Sequence, residues 1–189
     1  NIFRFQTAND YTVLNLDNPV TAAMADEVPG NVLFISGAQA VERGVFVRDG
    51  AIIYRNAGTE DTVCTLAEIR IPGRHNVEDI MAAVAATKLA GVKSDAIRQV
   101  VRTFAGIEHR LEFVRELADV KYYNDSKATT PQSTMAAIQA FDAPVVLIAG
   151  GYDKHVPFDA MADIIVESSV KSLILVGVTA DQIRRAVAR

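Results

Sequence analysis

Two short apolar runs near the end of the chain, PVVLIAG at 144–150 and SLILVG at 172–177, constrain the fold more than any other feature. A half-exposed strand would alternate apolar with polar residues, and a buried helix would need a longer stretch. Helix openings follow both runs, near Pro157 and near Thr179. VKYYND at 120–125, with Pro131 beyond it, fits the same rhythm. Short, continuously apolar strands separated by helices imply parallel βαβ units with both sheet faces covered. The expected class is α/β.

The first seventy residues follow another pattern. YTVLNL (11–16), NVLFIS (31–36) and VFVRDGAIIY (45–54) concentrate β-branched and aromatic residues, and NIFRFQ (1–6) and VCTLAEIRI (63–71) also read as strands. Asp49-Gly50 predicts a tight hairpin within the third run, because both residues accept positive φ. After Pro72-Gly73 the period lengthens. Ile80, Val84, Ala85 and Leu89 fall near one face of a helix over 77–91, and a second helix runs from Ser94, its expected N-cap, to Phe104. A boundary between a mixed α/β piece and a parallel one is expected near Ala105–Glu108. The chain opens on Asn1 without a polar lead-in, and its last helix reaches Arg189 with no Gly or Pro to close it. A segment of a longer protein is the expectation.

Composition removes several functions. Half of the 189 residues are hydrophobic and 22% are charged, with no low-complexity tract, so the chain is globular. A formal charge of -4 argues against nucleic acid or an anionic membrane as partner. The apolar runs fall far short of the roughly 20 residues a membrane-spanning helix needs. Cys64 is the one cysteine, and the three histidines are widely spaced, so neither a disulfide framework nor a metal site is legible. With no secretion signal in view, the cytoplasm is the default compartment. Gly91-Val92-Lys93-Ser94 lacks the first glycine and the Gly-Lys pair of a phosphate loop, and no G-x-G-x-x-G follows a strand. A complete triphosphate site is not expected within these residues.

What chemistry there is gathers where strands end. Asn124-Asp125-Ser126-Lys127-Ala128-Thr129-Thr130 places an acid, a cation and three hydroxyls at a strand exit, where ligands bind in open α/β sheets. Asp125 suits the hydroxyls of a sugar, and Lys127 suits phosphate or carboxylate. The same run also makes a capping cluster, with Thr130 before a helix whose first residue is Pro131. Gly150-Gly151-Tyr152-Asp153-Lys154 follows the next strand and is expected to bring Lys154 to the same rim, where Lys127 and Lys154 together favour anions. Arg110, at the expected boundary, has the donor fork to reach a phosphate, or makes a linker salt bridge. Asn76, ahead of a helix expected at Val77, either caps it with Asp79 or offers its carboxamide to a nucleobase edge.

The run HRLEFVRELADVKYYNDSKATTPQSTMAAI (109–138), with PGRHNVEDIMAAVAA (72–86) upstream and VVLIAGGYDK (145–154) downstream, closely resembles the Mur ligase family, in particular its D-glutamate-adding branch. The resemblance spans most of the chain, and Asn-Asp-Ser-Lys-Ala-Thr after a strand is its most discriminating part. It implies that residues 1–106 are the second half of a central ATPase domain. Residues 107–189 would be the first half of a Rossmann-like C-terminal domain with parallel strands. It implies ATP and Mg2+ as cofactors, with phosphate loop and metal ligands upstream of Asn1, so that the site residues here include no metal ligand. The implied substrates are UDP-N-acetylmuramoyl-L-alanine and D-glutamate, in a full-length enzyme that is a cytoplasmic monomer serving peptidoglycan synthesis. The segment alone would be inactive.

Carried over by position, the resemblance makes Asn76 an adenine contact and Asp125 the ribose-binding acid. Arg110 reaches the nucleotide and Lys127 lies near the reacting groups, both in catalytic roles. Lys127, Thr129 and Lys154 bind substrate, the last two D-glutamate. Asp79 departs from the family, which often has a second Asn there. In the implied reaction ATP phosphorylates the alanyl carboxylate, and the amine of D-glutamate displaces phosphate to form the amide, with the protein positioning groups and stabilising charge. Two other classes remain at this point. A dinucleotide oxidoreductase lacks its glycine fingerprint, and a non-catalytic ATP-binding or regulatory module would explain the absent phosphate loop.

Overall fold

A computed structural model describes residues 3–189. The chain divides into two compact units. Unit 1 comprises the chain up to Ile71 together with His75–Ala105, and unit 2 comprises Pro72–Arg74 with Gly106–Arg189.

Unit 1 is a five-stranded sheet under two helices. Its strands are β1 (Tyr11–Asn15), β2 (Asn31–Ser36), β3 (Gly44–Arg48), β4 (Ala51–Asn56) and β5 (Thr59–Thr65), and they lie in sequence order. β1, β2 and β3 run parallel, and β3, β4 and β5 antiparallel. The β3–β4 hairpin turns on Asp49 and Gly50 at φ 50° and 72°, the paired positive angles expected of a tight two-residue turn. Helix α1 (Pro19–Ala23) is a single turn capped by Asn18, whose side chain accepts from Val20 N–H and Thr21 N–H.

α2 (Arg74–Leu89) and α3 (Ser94–Thr103) cover one face of this sheet. Met81, Val84 and Ala85 of α2 and Ile97 and Val101 of α3 pack on Leu33, Ile35, Val45, Ile52, Tyr54, Val63 and Cys64. On the sheet, Phe46 and Ile53 form a second buried cluster with Val41. The expected N-cap at Ser94 is displaced. Lys93 holds the cap position, and Ser94 instead donates from Oγ to Asp61 at 2.5 Å, beside Lys88 Nζ at 2.7 Å from the same carboxylate. That bonding draws the Asp61 carboxyl below its usual range, the lysine contributing most.

Two expected strands are revised. Asn1 and Ile2 of NIFRFQ lie outside the described residues, and Phe3–Phe5 form a turn closed by Gln6 N–H on the Phe3 carbonyl. The strand expected over 63–71 ends at Thr65, because Glu68 reaches back to the Thr65 N–H at 2.7 Å in a capping box that winds Leu66–Glu68 into a 3₁₀ turn.

Unit 2 holds two separate two-stranded sheets. β6 (Glu112–Leu117) and β7 (Val120–Asn124) form an antiparallel hairpin, whereas β8 (Val145–Gly151) and β9 (Val170–Gly177) are parallel. α4 (Pro131–Ile138), α5 (Asp159–Glu167) and α6 (Ala180–Val187) pack on β8 and β9 through Ile138, Met161, Ile165, Ile183, Leu147, Leu173 and Leu175. Val146, Ile148, Ile174 and Val176 stay exposed, so this sheet is covered on one face rather than the expected two. α6 closes at Val187, its C-cap Ala188 donating to the Arg184 carbonyl, rather than running to Arg189.

The larger revision concerns β7, which was expected to be the first strand of a parallel sheet. It pairs instead with β6, a strand whose Glu112, Arg115, Glu116 and Leu117 carry no apolar run to announce it. The hairpin turn uses Ala118 and Asp119 at φ 49° and 61°, without the glycine or asparagine that would have marked it. Phe113 meets Tyr123 edge-on, with ring centroids 5.6 Å apart, and Tyr123 meets Phe141 at 4.7 Å. This aromatic row fastens the hairpin to the rest of unit 2.

Candidate functional site

Antiparallel pairing places Glu112, where the chain enters the hairpin, opposite Asn124, where it leaves. The segments before and after the hairpin, residues 106–111 and 125–130, therefore run side by side. Two hydrogen bonds from backbone N–H groups join them. Leu111 N–H donates to Asp125 Oδ1 at 3.0 Å, and Lys127 N–H donates to the His109 carbonyl at 3.0 Å. Arg110, Asp125 and Lys127 are thus carried on one tied pair of loops, although fifteen residues separate Arg110 from Asp125.

The exit of β7 is a wound turn rather than a free end. Asn124 Oδ1 accepts Ser126 N–H at 3.1 Å, and the Asp125 carbonyl accepts Ala128 N–H at 2.8 Å. Thr130 caps α4 by accepting Ser133 N–H at 3.3 Å, and Pro131 takes the first helical position, as the sequence predicts. The cap does not occupy the residues expected to bind a ligand. Thr130 makes the cap, while Lys127 and Thr129 stand exposed beside it. The side chains of Arg110, Lys127 and Lys154 make no hydrogen bond or ion pair among the described residues, and all three are exposed. A linker salt bridge, the other reading of Arg110, is not formed there.

Lys154 stands on the loop between β8 and α5. Asp153 ties that loop down, its carboxylate accepting Gln182 Nε2–H at 2.8 Å and His155 N–H at 2.7 Å. Gln182 first, then the His155 N–H, hold the Asp153 carboxyl below its ordinary range. The two glycines before it differ in purpose. A Cβ on Gly150 would lie 2.0 Å from the Val176 carbonyl oxygen, so this glycine serves strand packing rather than ligand approach. Gly151 faces open space. Because β7 and β8 belong to different sheets, hydrogen-bonded register does not put Lys127 and Lys154 on one rim, as a common parallel sheet would have done.

Asn76 belongs to unit 1. It lies within the first turn of α2 rather than before the helix, and it is buried at 6% exposure, so it is not an N-cap paired with Asp79. A polar strand exit that sequence reasoning passed over lies in the same unit. Asp17, just beyond β1, accepts Ser36 Oγ–H at 2.6 Å and Gly37 N–H at 2.7 Å. Asn15, the last residue of β1, donates from Nδ2 to Glu78 of α2 at 3.2 Å. The signal was present in Asn15-Leu16-Asp17-Asn18-Pro19, which resembles the exit of β7 in type. In unit 2, sequence reasoning also passed over Asn124 and Glu112, whose side chains meet at His109.

Loops that present unpaired cations and a carboxylate beside a helix start suit an anionic substrate with hydroxyls. Comparison with known proteins gives this arrangement a class. Residues 109–189 match the family described as Mur ligase, glutamate ligase domain. Over those residues the chain is similar to the C-terminal domain of Mur ligases.

Among its relatives, UDP-N-acetylmuramoylalanine--D-glutamate ligase of Acetivibrio thermocellus is 45% identical over 187 residues, which is 99% of this chain and 40% of that protein. The ligase of the same name from Symbiobacterium thermophilum is 50% identical over 190 residues, covering 100% of this chain and 42% of that protein. The chain therefore spans about two fifths of the length of the curated relatives it matches. In fold it is similar to MurF from Acinetobacter baumannii, with a TM-score of 0.77 at 18% identity over 99% of this chain and 43% of that one. It is also similar to a pseudomurein peptide ligase type C from Methanothermus fervidus, with a TM-score of 0.66 at 16% identity over 93% and 43%. Among the described residues no helix is long and apolar enough to cross a membrane.

Proposed function

We propose that this chain forms part of the nucleotide and amino-acid sites of an ATP-dependent ligase that joins D-glutamate to UDP-N-acetylmuramoyl-L-alanine. The observation that carries this reading is the tied pair of loops bearing Arg110, Asp125 and Lys127, with both cations unpaired. Relatives bearing that ligase name at 45–50% identity supply the substrate class. On this reading residues 1–106 belong to a central ATP-binding domain and 107–189 to a C-terminal domain, in a cytoplasmic, monomeric enzyme of cell-wall synthesis.

A free carboxylate is a poor electrophile, and phosphoryl transfer from ATP gives it a leaving group. This chain's residues serve that chemistry by position and charge. Asp125 keeps one carboxylate oxygen for a ribose hydroxyl while the other holds Leu111. Arg110 and Lys127 neutralise phosphate charge, Arg110 through a planar donor fork and Lys127 as a mobile point charge. Thr129 and Lys154 hold D-glutamate by hydroxyl and ammonium. The adenine role of Asn76 rests on the resemblance, since its side chain is buried. Among the described residues there is no group of three or more His, Cys, Asp or Glu that could hold a metal ion.

The test is ADP release and product formation by the full-length protein with ATP, the UDP-muramoyl-alanine and one amino acid at a time. D-glutamate alone should support turnover, and Lys154→Ala should raise the Michaelis constant for D-glutamate while leaving that for ATP nearly unchanged. Turnover with another amino acid but not D-glutamate would overturn the reading. ATP binding without any turnover would favour a regulatory module instead.

A further inference from the structure

The backbone around Arg110 is held in an uncommon shape. Ile107–Arg110 is a turn closed by Arg110 N–H on the Ile107 carbonyl at 3.1 Å. His109 and Leu111, on either side of Arg110, have φ of 67° and 42°. Left-handed backbone is unfavourable for residues with a Cβ, and Leu lacks the short polar side chain with which Asn or Asp offset it. Such conformations persist only where the surroundings over-determine them.

The surroundings of His109 do so. Glu112 Oε2 accepts His109 N–H at 2.8 Å, the His109 carbonyl accepts Lys127 N–H at 3.0 Å, and Asn124 Nδ2 lies 2.8 Å from His109 Nδ1. The direction of the last bond follows from its neighbours. Asn124 Oδ1 is already taken by Ser126 N–H, and Nδ2 also faces Glu112 Oε2 at 3.4 Å. Asn124 therefore donates, and His109 accepts at Nδ1 with its own proton on Nε2. The backbone N–H, the carbonyl and the imidazole of His109 are all engaged, and the residue they fix is the one preceding Arg110.

We propose that His109, Asn124 and Glu112 form a latch of positioning residues. By holding the left-handed turn, they aim Arg110 at the nucleotide on the loop that also carries Asp125 and Lys127. The proposal rests on the reading of Arg110 and Asp125 as nucleotide ligands. None of the three need touch the substrate. A cation displaced by about 1 Å from its productive place can cost on the order of a hundredfold in rate.

The test uses the full-length ligase, with ATP and D-glutamate varied separately. His109→Ala removes the Nδ1 acceptor and leaves a residue poorly suited to positive φ. It should lower kcat/KM for ATP by roughly tenfold to a hundredfold, with the Michaelis constant for D-glutamate changed less than about twofold. His109→Asn puts a carbonyl oxygen close to the lost Nδ1 and tolerates left-handed backbone. It should recover most of the loss. Asn124→Ala combined with His109→Ala should cost little more than either alone, as for two partners of one contact. Normal ATP kinetics in His109→Ala, no rescue by His109→Asn, or full additivity with Asn124→Ala would each overturn the latch. Melting curves identify any variant that fails to fold; if His109→Ala does, Asn124→Ala breaks the same contact from its other side and should show the same loss selective for ATP, and normal ATP kinetics in it would overturn the latch. Failure of the ligase reading itself would appear separately, as absent D-glutamate-dependent turnover in the wild-type arm.

Discussion

The two oxygens of Asp125 allow its structural role and its proposed ribose-binding role to be separated by substitution. Oδ1 accepts Leu111 N–H at 3.0 Å in a half-buried setting. A hydrogen bond to an ionised acceptor contributes about 1.5–3 kcal/mol, and partial exposure favours the lower end. Asp125→Ala removes it, at an expected loss of stability of about 1.5 kcal/mol. Asp125→Asn retains a carbonyl oxygen where Oδ1 lies and keeps the clamp, losing only charge assistance, about 0.5 kcal/mol. Neither variant retains an anionic oxygen for a ribose hydroxyl. Both should therefore raise the Michaelis constant for ATP about tenfold, which is 1.4 kcal/mol. Urea unfolding of the three proteins should rank wild type above Asp125→Asn and Asp125→Ala last, while steady-state kinetics place the two variants together. A normal ATP constant in Asp125→Asn alongside a raised one in Asp125→Ala would refute ribose binding and leave the clamp as the residue's whole role.

Two further outcomes follow from packing and charge. Gly150→Ala places a Cβ 2.0 Å from the Val176 carbonyl oxygen at φ 124°, whereas Gly151→Ala meets nothing within 4 Å at φ 134°. Both incur backbone strain of about 1–3 kcal/mol, but only Gly150→Ala adds a clash, for a total of roughly 2–5 kcal/mol; equal urea midpoints would refute the clash. Arg48 first and then Arg55 hold the Glu60 carboxyl down to about 2 from an ordinary 4.5. A depressed carboxylate stabilises the fold above its unfolded value and loses that contribution as pH falls through its folded value. Unit 1 should therefore lose stability between about pH 4.5 and 2, less steeply in Glu60→Gln and in high salt, because the pair is at the surface. Superimposable pH curves for the two proteins would refute the assignment.

The elements legible in the sequence were those whose signal is local. NVLFIS has the bounds of β2, Asp49-Gly50 makes its hairpin, and Thr130-Pro131 starts α4. The apolar runs of β8 and β9 needed no context, since their composition excludes other structures. β6 was illegible because Glu, Arg and Leu on an exposed strand carry little β signal, and Ala118-Asp119 has no residue that advertises positive φ. Ser94 was misplaced because a serine can cap a helix or bond a distant acid, and Asp61 lies 33 residues away. Asp125, Lys127 and Lys154 stood out by their types after strands, and Arg110 by its place at the expected boundary. Their supports did not, because Leu111 N–H and the His109 carbonyl are backbone groups that every sequence possesses.

The antiparallel hairpin changes what the exit of β7 can do. In a parallel sheet, residues 125–130 would meet the ends of neighbouring strands and the site would be assembled from separate βα loops. A hairpin joins the segment it receives to the one it releases, so Arg110 and Asp125 are set by a single register, Glu112 opposite Asn124. That register already contains an irregularity between Phe113 and Arg115, leaving Val114 as an extra residue on β6. The irregularity lets Phe113 still face Tyr123 while the strand beyond pairs out to the Ala118-Asp119 turn. Below it, Glu112 remains opposite Asn124 and within reach of His109 N–H. A hairpin without this extra residue would shift one end by a position and turn its side chains to the other face. Either the aromatic row or the Glu112–Asn124–His109 contacts would be lost, so the bulge keeps the hairpin's packing and its loop site compatible.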